Sequence, residues 1–416
     1  MIRYRHANWE DLENLLQLIK DGFSSNGAEG NIVGEEHRIL FSYLYHQGNW
    51  QPDWVYLAEL NKELIAAVGV FPRELAFEGT YLPLWAVSPV VTHPNYRGRG
   101  AAAGCLKMMF EDLRTKQVSG LFLWGIPDFY PKFGFVPVLP RYKTKLNIHQ
   151  IKKTESERGR LRTIDKTLDI HKLLNLYHLN EKEWLHPRRT DDWWERRLKE
   201  LNIEEADLKE VPFPRQENFV LWENYLGEVA GYLNYIEEPE KKRIIINDAS
   251  VKNEESGQAM LKALIRNRIE IDETLIIRGT PSHVLNAAAY KMGGIHINPA
   301  PLAGMIKILD WPSFLNKMIS IINSQERHIL TGNQIRLTCD SHSLIVINRS
   351  AQEYSVDCSN MTPNCFEKIN TKLTRLVLGL YTEEDLHYFS GVENKTTLAS
   401  LFPKRHPYIW DANYLY

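Results

Sequence analysis

The spacing of apolar positions switches between the two-residue period of a half-buried strand and the three-to-four-residue period of a helix face, and these switches delimit the elements. Residues 2–5 alternate as a strand. Asn8, followed by Glu10 and Asp11, has the chemistry of a helix N-cap, and Leu12, Leu15, Leu16 and Ile19 form the stripe of the helix it would start. A polar loop over residues 24–30 precedes a second helical stretch around 35–45. Residues 54–60 and 64–71, joined at Asn61-Lys62, read as a hairpin, and residues 81–91 add another strand. Pro89 lies inside that strand, and because proline cannot donate to a ladder it predicts a bulge or a splayed edge there. The apolar run stops at His93-Pro94. Leu106, Met109, Phe110 and Leu113 then recur at helical spacing with Arg114 and Lys116 in the last turn, so a helix begins near Arg99 or Gly100. A short strand, residues 121–124, leads to Phe129-Tyr130-Pro131-Lys132-Phe133-Gly134-Phe135.

From about Asp165 the pattern starts again. A helical stretch is followed by the basic and aromatic segment 186–194, then a hairpin at 219–222 and 229–236, and a strand at 243–249, so the order of elements repeats. Segment 186–194 could clamp a ligand, although Trp193 and Trp194 beside charged helix residues more often mark an interdomain contact. Beyond Asn298-Pro299-Ala300-Pro301 the character changes to short strands at 334–338 and 343–348 and helical stretches at 312–319 and 363–376. The expected fold is a mixed α/β architecture in three domains, 1–150, 151–297 and 298–416.

A chain of 416 residues with 44% hydrophobic residues has the length for several proper cores. The formal net charge of −2 is spread without a long block of one sign, which argues against a nucleic-acid partner or a membrane-surface helix. The first residues lack the apolar core of a signal peptide and no run approaches the length of a membrane span, so a cytoplasmic protein is expected. Four cysteines, Cys105, Cys339, Cys358 and Cys365, show no CxxC or zinc-ligand spacing; no metal is expected, and Cys105 reads as a small core residue.

The chemistry concentrates where the first strand-to-helix turn falls. Backbone N–H groups in the first turn of a helix have no intrahelical partner, and Gly98, Gly100, Ala101 and Ala102 carry no bulk to hold an anion away from them. This is a diphosphate cradle, though on its own such a turn also fits an ordinary tight connection. In the repeat the same position reads Asn253-Glu254-Glu255-Ser256-Gly257-Gln258, whose carboxylates would repel a diphosphate.

The spacing Arg97-x-x-Gly100-x-Ala102, followed after one helix and one strand by Phe129-Tyr130-x-x-Phe133-Gly134-Phe135, resembles the GCN5-related N-acetyltransferases (GNAT enzymes). With the segments at Ala303–Pro312 and Leu401–Asp411 and the aromatic ending, the whole chain resembles the enhanced-intracellular-survival (Eis-type) N-acetyltransferases. The resemblance implies an active GNAT domain, a degenerate GNAT domain and a C-terminal domain like sterol carrier proteins, assembled as a homo-oligomer, by family a hexamer. It implies acetyl-CoA as cosubstrate, its pyrophosphate held by Arg97, Gly98, Arg99, Gly100, Ala101, Ala102 and Ala103, and its pantetheine arm paired with the backbone of Val90, Val91 and Thr92. Tyr130 matches the family's general acid, and a phenol with a pKa of about 10 is suited to protonate a departing thiolate. The alternative for Tyr130 is aromatic core packing. The family's base is the terminal carboxylate, here on Tyr416, and residues 408–416 are too apolar for a solvated tail. Glu29, Glu35 and Glu36 are the acids that could attract a cationic acceptor, of the aminoglycoside, polyamine or lysine-side-chain type. Two other readings stay open: a non-catalytic acetyl-CoA-binding regulatory or lipid-carrier protein, and an enzyme using another acyl donor, as N-myristoyltransferases do.

Overall fold

The computed structural model describes residues 1–24, 28–46, 51–77, 79–151, 159–165, 167–179, 185–200, 217–266, 273–297, 304–324, 334–339, 342–350, 353–357, 363–389 and 395–407. The first unit runs β1 (Arg3–His6), α1 (Leu12–Phe23), α2 (Ala28–His46), β2 (Val55–Leu60), β3 (Glu63–Phe71), β4 (Glu74–Phe77), β5 (Thr80–Thr92), α3 (Ala101–Thr115), β6 (Gly120–Trp124) and β7 (Val136–Leu139). The second runs β8 (Lys143–Asn147), β9 (Gly159–Thr163), α4 (Ile170–His178), α5 (Asp191–Glu200), β10 (Glu217–Asn224), β11 (Val229–Glu238), β12 (Arg243–Val251), α6 (Glu254–Arg266), β13 (Thr274–Arg278), α7 (Val284–Lys291) and β14 (Ile295–Ile297). After β15 (Gly304–Ile308) come α8 (Trp311–Ser324), an antiparallel sheet of β16 (Gln334–Cys339), β17 (His342–Ser350) and β18 (Glu353–Asp357), and α9 (Pro363–Val377), α10 (Glu383–Phe389) and α11 (Lys395–Leu401).

Local chemistry explains most boundaries. Asn8 forms the expected cap: its side chain accepts from the Glu10 N–H while Asp11 accepts from the Asn8 N–H at 2.8 Å, ahead of α1 with Leu15, Leu16, Leu18 and Ile19 buried. Asn61 and Lys62 turn the β2–β3 hairpin with φ of 51° and 70°. Two differences from the sequence expectation stand out. Helix α2 begins at Ala28, inside the stretch expected as loop, and β4, which the pattern did not signal, forms a short hairpin with β5.

Strand order is β1-β2-β3-β5-β6-β15-β7 in the first sheet and β9-β10-β11-β12-β13-β8-β14 in the second, position for position the same plan. Each sheet holds one parallel pair, β5 with β6 and β12 with β13. Even a local ion-pair device repeats. Arg5 joins Asp11 (2.6 Å) to Glu59 (3.1 Å), and Arg162 joins Asp169 (2.5 Å) to Glu223 (2.6 Å), each tying the first two strands to the following turn.

The sixth strand of each sheet is exchanged. β8, expected in the domain ending at residue 150, lies between β13 and β14 of the second sheet, and β15, expected in the domain starting at 298, lies between β6 and β7 of the first. Alternation fixes which face of a strand is buried but not which strands it pairs with, so neither placement could be read from the pattern. The C-terminal helices cover one face of the first sheet, where Phe122, Val136, Val138, Ile306 and Ile308 pack with α8 and α9; α3 covers the other, against Leu121, Leu123 and Met305. Among the described residues no helix is long and apolar enough to cross a membrane.

Candidate active site

The site begins with a defect in β5. Its ladder with β3 pairs Val68 with Val90 and then Val70 with Val87, so Ser88 and Pro89 bulge opposite Gly69, as Pro89 predicts. A Cβ at Gly69 would stand 2.6 Å from the Ser88 carbonyl oxygen and 2.8 Å from Pro89 Cδ, so the bulge depends on glycine there. On its other side β5 pairs with β6 only over Leu84–Ala86, and the ladder ends before Val87. The remaining stretch to Thr92 leaves β6, opening a gap at the carboxyl ends of the parallel pair, the usual place for a ligand in such a sheet.

At that gap the chain makes a one-turn 3-10 helix, Pro94–Tyr96, and enters α3. Gly98 and Gly100 have φ of 78° and 77°, a region that disfavours a side chain, yet a Cβ on either would meet nothing within 4 Å. Backbone conformation therefore demands the glycines, and the space beside them is open. Gly100 caps α3 without a side-chain hydrogen bond, and the first i→i−4 bond of the helix runs from the Gly104 N–H to the Gly100 carbonyl at 3.0 Å. That leaves the N–H groups of Ala101, Ala102 and Ala103 outside the helix ladder. Arg97 donates to the Gly22 carbonyl at 2.8 Å, tying the turn to the last turn of α1. α1 in turn lies so close to β5 that a Cβ at Gly22 would come 1.9 Å from Val91. The Arg99 guanidinium sits over the Tyr96 ring at 5.2 Å, and Tyr96 donates to Glu63 at 2.6 Å.

Tyr130 opens the 3-10 turn Tyr130–Phe133, which closes on Gly134 at φ 81°. The ring packs on Gly125, where a Cβ would come within 2.1 Å, and meets Phe129 and Phe135 edge-on at centroid distances of 5.0 and 5.9 Å. Although only 8% exposed, Tyr130 lines a cleft of about 650 Å³. The same cleft is lined by Val90, Val91, Thr92, Arg97, Gly98, Gly100, Ala101, Ala102 and Ala103, so residues scattered over forty positions of sequence face one space. Arg99 is not on that lining. Gly22, Phe23, Tyr96 and Ile126 are, and the sequence did not single them out; Phe129, read only as part of the motif around Tyr130, lines it too. Two glycines, Gly22 inside α1 and Gly125 just after β6, were the signals of close approach that could have found two of the walls.

Other candidates fall elsewhere. Tyr416 lies outside the described residues. Glu35 is engaged by Arg38 and by Lys20 (2.8 Å), which hold its carboxyl below the usual range, so it is an ion-pair member. Cys105 is buried on α3, and burial pushes its thiol up to about 12, as a core residue. At segment 186–194, contact between units is made upstream of the tryptophans, where the Ala76 N–H bonds the His186 carbonyl at 2.8 Å and the Arg188 N–H bonds that of Glu74 at 2.9 Å. Trp194 is fully buried in the second unit's own core with Tyr177, Leu221 and Tyr232, because α5 lays it inward across that sheet.

At the second unit's matching turn, the Asn253 side chain accepts from the Ser256 N–H at 2.8 Å, and Glu254, in the first turn of α6, pairs with Lys291. One N–H is already capped and the first turn is acidic.

Residues 3–138 match the family model described as an acetyltransferase (GNAT) domain, so the first unit is an acyltransferase domain of that type. No curated protein matches the chain by sequence. Among solved structures, a GCN5-related N-acetyltransferase from Anabaena variabilis is 13% identical, with 99% of each chain covered and a TM-score of 0.70. A conserved protein of Enterococcus faecalis, described as a probable N-acyltransferase, is 16% identical with 98% of this chain and 97% of that one covered at a TM-score of 0.68. Eis1 from Mycobacterium abscessus is 13% identical, with 99% of each chain covered and a TM-score of 0.61. At these identities the likeness is one of fold, and it extends over all three parts of the chain.

Proposed function

We propose that the protein is an acetyl-CoA-dependent N-acetyltransferase acting on a primary amine of the aminoglycoside, polyamine or lysine type. The observation that carries the reading is the single cleft onto which the free end of β5, the N-terminus of α3 and Tyr130 all open. Its parts suit an acyl-CoA: N–H groups outside the helix ladder for the diphosphate, open space at Gly98 and Gly100 for its approach, and, from Val90 to Thr92, a strand paired with β3 on one side and past the end of the β6 ladder on the other, for the pantetheine amides.

In the proposed reaction the amine nitrogen bonds to the thioester carbonyl carbon and the carbon–sulfur bond breaks. Tyr130 gives its phenolic proton to the departing sulfur, and the Tyr416 carboxylate takes the proton the amine sheds, directly or through water. From His406, whose ring meets Tyr142 at 5.5 Å, ten residues lead to Tyr416, a reach of at most roughly 36 Å when extended. A sterol-carrier-like C-terminal domain and a hexameric assembly belong to the same proposal, and light scattering tests the latter.

The test is release of free thiol on mixing with acetyl-CoA and a panel of polyamines and aminoglycosides, with Tyr130→Phe as the control. Turnover is expected to fall by roughly 100- to 10,000-fold with acetyl-CoA affinity unchanged. No thiol release from any amine would leave a non-catalytic binder. Extending the chain beyond Tyr416 with a short Gly-Ser tail should abolish turnover while acetyl-CoA still binds; full activity would remove the carboxylate from the mechanism.

A further inference from the structure

The turn that carries Tyr130 is held from outside its own domain. Gly134 closes the turn: its N–H bonds the Pro131 carbonyl at 2.9 Å, and the Tyr130 carbonyl accepts from Phe135. With the internal bonds made, the Gly134 carbonyl points away from the turn, and the Asn370 Nδ2 of α9 donates to it at 2.8 Å. The other end of the same amide accepts from the Trp311 indole N–H, on α8, at 3.2 Å. Since Nδ2 only donates and Oδ1 only accepts, the two bonds fix one orientation of the amide. The helix that presents it is anchored on either side: Ile369 and Leu373 are fully buried in the core that includes Val136, Val138 and Leu139, the strand immediately after the turn. At Gly134 a side chain would come 2.7 Å from Lys307 Nζ on the exchanged strand, so the turn is also backed by β15.

We infer that Asn370, oriented by Trp311, is a positioning residue for the Tyr130 general acid, and that the C-terminal domain thereby sets the geometry of proton transfer in the first. The inference rests on the proposed role of Tyr130. A general acid acts only from within hydrogen-bond reach of the sulfur, and a displacement of the order of 1 Å costs about 100-fold in rate. A hydrogen bond at the turn's closing residue is the point at which such a displacement would start.

The experiment is a double-mutant cycle on turnover in the full chain. Asn370→Asp keeps the shape and the acceptor for Trp311 but removes the donor to Gly134, and should lower kcat by roughly 10- to 100-fold with the KM for acetyl-CoA within about 2-fold. In the Tyr130→Phe background, Asn370→Asp should change kcat by less than about 2-fold, because there is no longer a proton donor to misplace. Trp311→Phe, which removes the indole N–H and leaves an aromatic ring in the core, should reproduce the pattern with a smaller loss, and serves if the aspartate variant does not fold. An equal fold-loss from Asn370→Asp or Trp311→Phe in both backgrounds, or none in either, overturns the inference while leaving Tyr130 as the acid. An unchanged kcat for Tyr130→Phe alone overturns both.

Discussion

Two strand-to-helix turns built on one plan differ in whether their backbone is left available. At Arg97–Ala103 the cap is a glycine, the first-turn residues are alanines, and three N–H groups stay outside the helix ladder. At Asn253–Gly257 the cap is an asparagine whose side chain takes an N–H, followed by two acids. The strands before them differ in the same sense. In each, the ladder slips once, and the residue just past the slip is Val90 in the first unit and Asp248 in the second. Val90 lines the open cleft. Asp248 is buried in an ion pair with Arg189 at 2.5 Å, and Arg189 is sandwiched by the Tyr177 and Trp193 rings at 4.2 Å each. One strand order thus opens onto a cleft in the first unit and closes over a buried ion pair in the second, according to which side chains stand just past the slip.

The comparison is broken most sharply at Asp248. Asp248→Ala should destabilise the protein by about 3–5 kcal/mol, seen as a large fall in thermal midpoint, because it leaves the fully buried Arg189 guanidinium without its counter-charge. A near-neutral result would mean the second unit is not sealed by that pair.

Gly100→Val tests the other turn. It should weaken acetyl-CoA binding at least 10-fold by forcing the backbone out of its φ of 77°, while stability falls by only about 1–2 kcal/mol. Calorimetry on the unaltered chain should return one acetyl-CoA site; two equivalent sites would erase the distinction between the turns.

Asn253→Ala removes a side-chain capping bond where the first unit has none, and should cost about 1 kcal/mol without creating a second acetyl-CoA site. Chemical denaturation and calorimetry together read both halves of that statement.

The smallest effect concerns what the units share. Asp11 and Asp169 are each held below the usual carboxylate range, first by the hydrogen bonds from Arg5 and Arg162. Their folded pKa values are depressed, so the stability they contribute is present above about pH 4 and lost as pH falls through the depressed values. Asp169→Asn should flatten the acid limb of the stability curve; a limb unchanged in slope would assign the acid sensitivity elsewhere.

Much of this was legible in the chain because it depends on neighbours in sequence. The Asn8 cap, the Asn61-Lys62 turn, the Pro89 bulge and the start of α3 at Gly100 are each produced within a few residues. The duplicated order of elements was legible for the same reason, as was the difference between glycine-alanine and asparagine-glutamate at the two turns. β4 was missed because Glu74-Leu75-Ala76-Phe77 does not alternate: one exposed residue is followed by three buried ones, so the two-residue period is absent. Trp194 was misplaced because an aromatic in a charged helix signals burial without saying in which core.

By itself the sequence determined where most of the strands and helices form, which of their faces are apolar, and which helix start is glycine and alanine and which acidic, since propensity, capping and period act over distances of a few residues. Only the tertiary structure decided that β8 and β15 change places between sheets, that Asp248 meets Arg189, and that Asn370 reaches Gly134. Each of those joins residues far apart in the chain through a partner choice that alternation leaves degenerate, and the choice is settled by packing the whole core at once.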